Sequence, residues 1–272
     1  PATPPEVAPR PGDQAEPRPA LDLPHPARPL GASALVEQLA GLGSGEREAR
    51  VVALVLEGHV PAFMRELVRV PLGDAGSPVQ GAAFVTPDYL AIGTDADYLR
   101  VPLTIRGARR VARELDAVLP TRKLVDAIYG AAPYKLTSRS LPPGRDMSSL
   151  GYARRHHDSI EARRRSAGAV VLGELVAGCK KDVVLTRRML EKPGRTPLYG
   201  WFSPEGVAIQ PLSLIHDDHF ADYAQGIRLV MRRMVVDGEP ADYLDVLRDG
   251  ALAGLISDEG AYDLRIPWER GW

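Results

Sequence analysis

The reactive side chains of this sequence are densest between residues 156 and 228. The run 178–182 reads Gly-Cys-Lys-Lys-Asp and joins the only cysteine of the chain to two of its lysines. A thiol becomes a nucleophile when nearby cations lower its pKa and a histidine accepts its proton. Cys179 is therefore a candidate nucleophile, and Lys180 is a candidate cation beside it. The alternative is that Cys179 is a small buried hydrophobic residue and the lysines are solvated.

A second group of reactive residues follows a predicted strand that ends at Leu214. The run 215–219 reads Ile-His-Asp-Asp-His, and Asp222 follows closely. Strand ends often carry catalysis because the sheet fixes the residue while the loop leaves it accessible. Three interpretations remain open: His216 is a general base oriented by Asp217 or Asp222, His216 and His219 bind a metal, or the run is an exposed polar loop.

The metal interpretation is the weakest, because His-x-x-His lacks the i, i+4 spacing and the glutamate of the helical zinc motif. We therefore expect neither a metal nor a cofactor. The predicted catalytic set is His216, Asp222, Lys180, Arg228 and Cys179, with Lys180 and Arg228 stabilising developing negative charge.

Three further residues are candidates for substrate binding. Tyr199 and Trp201 flank a glycine in a predicted hairpin, and aromatic rings beside a cleft stack on sugars and peptide planes. His156 lies in a basic helix, in line with Tyr152 and Ile160, and is expected to face inward. For each of the three, packing in the core is the alternative, and for the arginines of that helix the alternative to anion binding is a solvated face.

The elements that must position these residues predict an α+β fold. Short helices are expected at 33–42, 46–57 and 61–67, followed by a β-meander with strands at 79–85, 89–92 and 98–103. Helices at about 105–118 and 121–131, the second capped by Thr121, and at 149–166 form a helical middle. Strands at 169–177, 183–186, 197–202, 207–214 and 227–236 predict a mainly antiparallel C-terminal sheet.

Domain organisation follows from composition. Ten of the 25 prolines lie within residues 1–29, which predicts a disordered Pro-rich arm over 1–31 and one α+β domain over 32–272. The segment 133–149, rich in Pro, Ser and Gly, is a candidate subdomain seam or binding loop. A chain that starts in such an arm, without Met, is typical of a mature secreted or periplasmic protein.

Charge and hydropathy narrow the expected partners. The net charge is −1, so no overall field attracts nucleic acid. The longest apolar run, 51–56, is far too short for a membrane span. A single cysteine excludes an internal disulfide framework.

Several stretches between about 85 and 230 resemble an uncharacterised family of secreted bacterial proteins, for which no activity is known. They include 87–93 (Pro-Asp-Tyr-Leu-Ala-Ile-Gly), 180–184 (Lys-Lys-Asp-Val-Val), 199–201 (Tyr-Gly-Trp) and 226–229 (Gly-Ile-Arg-Leu). The resemblance implies His at position 179 and Ser-His at 224–225 in such proteins. It therefore favours a site built on His216, Lys180, Asp182, Asp222 and Arg228 over a cysteine nucleophile.

The sequence thus leads to two hypotheses. The first is a hydrolase that acts on a cell-envelope or extracellular polymer through a site centred on His216. The second is a non-catalytic domain of the cell envelope that binds a glycan or a protein through Tyr199, Trp201 and the basic helix. Convergence of His216, Lys180 and Arg228 around one hollow would favour the enzyme.

Overall fold

A computed structural model describes residues 18–73, 76–167 and 171–270. Within these ranges the α-helices are α1 (Ala32–Leu39), α2 (Ser44–Leu56), α3 (Ile105–Glu114), α4 (Arg122–Ala131), α5 (Leu150–Ser166), α6 (Tyr243–Arg248) and α7 (Arg265–Arg270). The strands are β1 (Val68–Leu72), β2 (Gly81–Val85), β3 (Ala91–Thr94), β4 (Asp97–Arg100), β5 (Ala117–Val118), β6 (Tyr134–Lys135), β7 (Val176–Ala177), β8 (Lys181–Val183), β9 (Leu198–Phe202), β10 (Ala208–Ser213), β11 (Gln225–Gly226), β12 (Val230–Met231), β13 (Arg233–Val236) and β14 (Glu239–Asp242). The α+β class is confirmed.

The C-terminal sheet has the order β10-β9-β8-β11. Its pairs are antiparallel except β8 with β11, which is parallel, so the predicted mainly antiparallel sheet is confirmed. The predicted turn at 203–206 joins β9 to β10, with the Ser203 amide donating to Val207 O at 2.8 Å. β8 lies between β9 and β11, and its residues Asp182 and Val183 are buried.

The predicted meander is divided between two sheets. β1 and β2 belong to a six-stranded sheet, in which β2 also pairs with β12 and β13, whereas β3 and β4 form a separate pair. The chain between β2 and β3 does not turn back directly. It runs along 227–229 instead, with the Thr86 amide donating to Leu229 O at 2.9 Å and the Leu90 amide to Ile227 O at 2.7 Å. This crossing brings residues 86–90 against the C-terminal sheet.

The helices follow the periodicity of their apolar residues. In α3, Ile105, Ala108, Val111 and Ala112 are buried, and the Thr104 hydroxyl accepts from the Gly107 amide at the N-cap. Thr121 and Ser149 cap α4 and α5 in the same way, as the sequence predicts. Helix α4 covers the C-terminal sheet, and α5 packs on β4. None of the described helices has the length and apolar character to cross a membrane.

The sequence predicts a disordered Pro-rich arm over 1–31, and the structure bears on only part of it. Residues 1–17 lie outside the described residues. Residues 18–31 differ from the prediction, because Leu21 and Leu23 are buried against the domain and the Leu21 amide donates to Arg65 O at 2.8 Å. Two apolar side chains at alternate positions suffice to hold this stretch, whose prolines leave few backbone donors to satisfy.

Candidate functional site

Lys180 immediately precedes the central strand β8 and is 1% exposed. Its Nζ donates a hydrogen bond to Tyr223 O at 2.6 Å. Burial lowers the pKa of the Lys180 amine to about 8, although the charges of Cys179 and Asp222 act in the opposite direction. A substantial fraction of this amine is therefore neutral slightly above pH 7, which is the state a general base requires.

Asp182 lies two residues further along the chain, within β8, and is also buried. Its Oδ2 accepts from the Tyr89 hydroxyl at 3.1 Å, while its Oδ1 has no hydrogen-bond partner among the described residues. Burial raises the pKa of the Asp182 carboxyl to about 7, against the opposing charge of Arg228. An amine and an acid with pKa values near neutrality thus lie two residues apart, the first just before β8 and the second within it.

Arg228 is 1% exposed and is held by the backbone. It donates to Thr86 O at 2.7 Å and to Val176 O at 2.6 Å, and its guanidinium carbon lies 4.4 Å from the centre of the Tyr89 ring. Its Nε has no partner among the described residues. The side chain therefore ties three segments together, and a role in stabilising a substrate charge stays a prediction.

His156 faces inward from α5, as the sequence predicts, and is fully buried. Its ring packs edge-on against Tyr223, with 5.0 Å between ring centres. Neither ring nitrogen makes a hydrogen bond of normal geometry within the described chain. Burial, with the charges of Lys180 and Arg163, lowers the pKa of His156 to about 2, although the nearby backbone of Arg139 acts weakly against this. His156 is therefore neutral at physiological pH.

These side chains form one group, which we call the Lys180 cluster. Gly226 allows it to assemble, because a Cβ at this position would lie 2.4 Å from Tyr89 Cδ1 and 2.7 Å from Lys180 Cβ. The cluster consists of Tyr89, His156, Lys180, Asp182, Tyr223 and Arg228. Tyr89 lies in the 87–93 stretch that carries the resemblance, and Tyr223 follows Asp222, but no local pattern in the sequence assigns either tyrosine a role.

Cys179 adjoins the Lys180 cluster on its apolar side. It is fully buried and packs with Tyr89, Leu136, Ile160 and Val176. Burial raises the pKa of the Cys179 thiol to about 11, and the nearby cations Arg100 and Lys180 only partly offset this. Because the thiolate is the reactive form, this geometry favours the small buried hydrophobic residue over the nucleophile.

The segment 216–222 forms a wall beside the Lys180 cluster. The half-buried His216 ring stacks on Phe220 with 3.7 Å between ring centres and 6° between planes. Asp222 is buried and its Oδ1 accepts from the Ala224 amide at 2.8 Å. In the described part of the chain, no hydrogen bond joins the His216 ring to Asp217 or Asp222. The predicted orientation of His216 by a carboxylate is absent from this arrangement.

A cavity of about 300 Å³ opens on the other side of this wall. Its lining includes the first turns of α2 and α5 and residues 219–221. Arg47 and Glu48 also border it; Glu48 is engaged, since its carboxylate accepts from the Thr104 amide at 2.8 Å and hydroxyl at 2.7 Å. Ala221 lines the cavity and is followed by Asp222 and by Tyr223 of the Lys180 cluster, so the chain connects this lining to the cluster within two residues.

The two predicted aromatic binding residues are placed differently. Tyr199 is 8% exposed, packs in the core and donates to Asp126 Oδ1 at 2.8 Å. Trp201 is half-buried, has a backbone φ of 58°, and carries Lys181 Nζ 4.8 Å from its ring centre. A bulky residue with positive φ is unusual and is often found at functional sites. Of the two, only Trp201 is available to a ligand.

A separate buried group, which we call the arginine clamp, was not predicted. Arg100 contacts Asp88 through two hydrogen bonds of 2.9 and 2.6 Å and Glu161 at 2.8 Å. Burial alone would raise the pKa of Asp88, but the charge and hydrogen bonds of Arg100 hold it below its usual range. The pKa of His157 falls to about 2 through burial and Arg100, so its Nδ1, 3.2 Å from Arg100 Nη1, acts as an acceptor. The clamp attaches α5 to β4.

The predicted site residues therefore fall into two places. Lys180, Asp222, Arg228, Cys179 and His156 lie in or beside the buried Lys180 cluster, whereas His216 lies on the cavity wall through Phe220. His219 borders the cavity with 73% of its side chain exposed. Within the described ranges, no group of three or more His, Cys, Asp or Glu side chains could hold a metal ion.

Comparison with known proteins adds no assignment, since no family model, no characterised protein and no solved structure significantly matches the chain. The geometry alone therefore has to support a functional conclusion.

Proposed function

We propose that this chain is a hydrolase that acts on a cell-envelope or extracellular polymer, with the Lys180 amine as its general base. One observation carries the proposal. Lys180 is a buried lysine anchored to the backbone of Tyr223, and residues 219–221, which immediately precede this anchor, line the surface cavity. Buried amines with pKa values shifted toward neutrality, set close to a cavity, are frequent in catalytic sites.

The chemistry requires one water molecule and no cofactor. The neutral Lys180 amine accepts a proton from the water as its oxygen attacks the polymer bond, and the resulting ammonium then gives a proton to the leaving group. The cavity wall contributes to the same step. The first turns of α2 and α5 line the cavity, and in this proposal the positive dipole ends of these helices stabilise the developing negative charge.

His216 retains a role in this proposal at the cavity wall. Its ring stacks on Phe220, which lines the cavity, so loss of the imidazole would disturb the surface that a substrate contacts. A mix of aromatic ring, backbone amides and hydroxyl groups suits a sugar or peptide segment. Location outside the cytoplasm rests on the Pro-rich composition of residues 1–29 and on the sequence resemblance.

The experiment is a comparison of peptidoglycan and polysaccharide breakdown by the wild type and three variants. Lys180→Met keeps the length of the side chain but removes the base, and should lower turnover at least about a hundredfold. His216→Ala should lower it less. Lys192→Met, at an exposed lysine, is the matched control and should retain full turnover. Equal activity of the Lys180 and Lys192 variants would refute the proposal.

The second candidate, a binding domain without catalysis, is favoured by a different observation. Trp201 is flanked by Lys181 on its ring and by exposed apolar residues of the edge strand, with Val207 64% and Ile209 55% exposed. This surface would bind a glycan or protein by stacking and apolar contact. Polymer binding that Trp201→Ala abolishes and Lys180→Met leaves intact, with no turnover in the wild type, would establish this alternative.

A further inference from the structure

The segment 137–149, which we call the strap, crosses the outside of the Lys180 cluster. Its middle is exposed to solvent, but its ends are fixed. The Leu136 amide donates to Ala177 O at 2.9 Å and the Ser138 amide to Phe202 O at 3.1 Å, whereas Ser149 caps α5. Between these ends, Pro142, Pro143 and Gly144 limit the backbone contacts that the strap can form with the domain.

Tyr223 holds the middle of the strap. Its hydroxyl accepts from the Leu141 amide at 2.8 Å and donates to Leu141 O at 3.3 Å, and its own amide donates to Met147 O at 3.0 Å. On its other side, the carbonyl of the same residue accepts from Lys180 Nζ at 2.6 Å. One buried residue therefore contacts both the strap and the amine.

We propose that Tyr223 is the positioning residue of this site, which couples the strap to Lys180 so that lifting the strap exposes the amine to a polymer. This inference rests on the proposed function, because it explains how a fully buried base can reach a large substrate. The strap is the element most suited to move, since its middle is exposed and Tyr223 supplies three of its hydrogen bonds to the domain. Polymer access then requires the Leu141 and Met147 hydrogen bonds to Tyr223 to break together with the bond that the Tyr152 hydroxyl donates to Pro142 O at 3.2 Å.

The single cysteine provides a direct probe of this motion. Cys179 precedes Lys180 and packs against Leu136 at the base of the strap, so a thiol reagent reaches it only when this region opens. Tyr223→Phe removes both hydroxyl bonds to Leu141 and keeps the ring and the carbonyl. We expect Cys179 to be modified by a maleimide about tenfold faster in this variant, under conditions where both proteins remain folded.

Tyr199→Phe is the matched control. It also removes a buried tyrosine hydroxyl, here bonded to Asp126, but it lies away from the strap. Its Cys179 modification rate should stay at the wild-type value after correction for any change in urea-unfolding stability. Equal acceleration in both variants, or modification of the wild type only at the rate of global unfolding, would overturn the inference.

A second measurement follows Lys180 itself. Acetylation of Lys180 as a function of pH, read by mass spectrometry, should have a midpoint near pH 8 in the wild type. In Tyr223→Phe the midpoint should move toward the ordinary lysine value because the amine spends more time in water, and the profile of Lys181 should not change. The charged or titratable groups around Lys180 are Cys179, Arg100, Asp222, Asp88 and His156. An unchanged midpoint would contradict the positioning role.

The two proposals fail in different ways. If the wild type degrades polymer but Tyr223→Phe labels like the wild type at Cys179 and Lys180, the coupling is refuted and the hydrolase stands. If both labelling results depend on Tyr223 but no polymer is cleaved, the coupling stands and the hydrolase is refuted.

Discussion

Helix α5 takes part in two buried polar groups that differ in how completely their atoms are paired. In the arginine clamp, Arg100 donates to Asp88 and Glu161, so opposite charges meet at 2.6 and 2.8 Å. In the Lys180 cluster, by contrast, Asp182 Oδ1, Arg228 Nε and both His156 nitrogens have no hydrogen-bond partner among the residues that the structure describes. Buried polar atoms are normally satisfied, so this difference separates a group that stabilises the fold from one whose groups remain available for chemistry.

The comparison predicts opposite effects of substitution on stability. Removing a member of the arginine clamp should leave a buried charge without its partner and lower stability. Removing an ionisable group of the Lys180 cluster should instead relieve a desolvation cost and raise stability. Active sites commonly reduce stability in this way.

The largest effect is expected for Arg100→Leu. Loss of the guanidinium leaves the Asp88 carboxylate buried without its cation, which should lower the free energy of unfolding by about 3–5 kcal/mol. Urea unfolding at pH 7 measures it. The matched control is Arg50→Leu, whose ion pair with Glu57 joins side chains that are 38% and 48% exposed and should cost less than about 1 kcal/mol.

If the Arg100 variant does not fold, the milder Glu161→Gln tests the same contact, because it keeps the shape but weakens the charge pairing. The clamp interpretation would be wrong if either clamp variant were as stable as the Arg50 variant.

The next effect, of opposite sign, is expected for Asp182→Asn. The pKa of Asp182 is about 7 in the folded chain and ordinarily near 3.8. Between these values the folded chain holds a proton that the unfolded chain has lost, so the contribution of Asp182 to stability falls as the pH rises. At pH 8 the variant should exceed the wild type by as much as about 4 kcal/mol, and near pH 4 the two should be similar.

Urea unfolding between pH 4 and 8 measures this difference, with the exposed Asp217→Asn as control. A constant difference across this pH range would mean that folding does not raise the pKa of Asp182. The contrast between the arginine clamp and the Lys180 cluster would then be removed.

A smaller loss is expected for Gly226→Ala. The added Cβ would lie closer to Tyr89 and Lys180 than a normal van der Waals contact allows. The side chains of both residues must therefore shift, which should lower the free energy of unfolding by about 1–3 kcal/mol. Gly254→Ala is the control, because nothing lies within 4 Å of a Cβ there. Thermal unfolding checks the pair, and equal stability would show that the Lys180 cluster is loosely packed.

The smallest effect is expected for Cys179→Ala. The thiol packs among apolar side chains and its pKa is about 11, so the variant should lose about 1–2 kcal/mol of stability and leave the turnover of the proposed hydrolase unchanged. Turnover at pH 7 measures the second part. Loss of turnover in a folded variant would instead support the hypothesis that Cys179 is a nucleophile.

Much of the fold could be predicted from the sequence because its signals are local. The apolar spacing of α3, the Thr121 and Ser149 caps and the 203–206 turn each depend on residues a few positions apart. The predicted strand at 227–236 appears as β12 and β13, interrupted at Arg232, whose amide donates to Asp116 O instead of to the sheet. A tertiary contact of this kind does not change the spacing of apolar residues along the sequence, so that spacing could not predict it.

Candidate reactive residues could also be found in the sequence, since Lys180, Asp182 and His216 lie in short polar runs. The environments of these side chains could not be predicted from the sequence. Lys180 is anchored by a residue 43 positions away, and the partners of Arg100 are 12 and 61 positions away. A residue type states what a side chain can do, but its pKa depends on burial and on neighbours that only chain folding brings within hydrogen-bonding distance. Composition and local pattern therefore determined the α+β class and the polar residues, while tertiary structure decided that Arg100 is paired and Lys180 is held as a weakly basic amine.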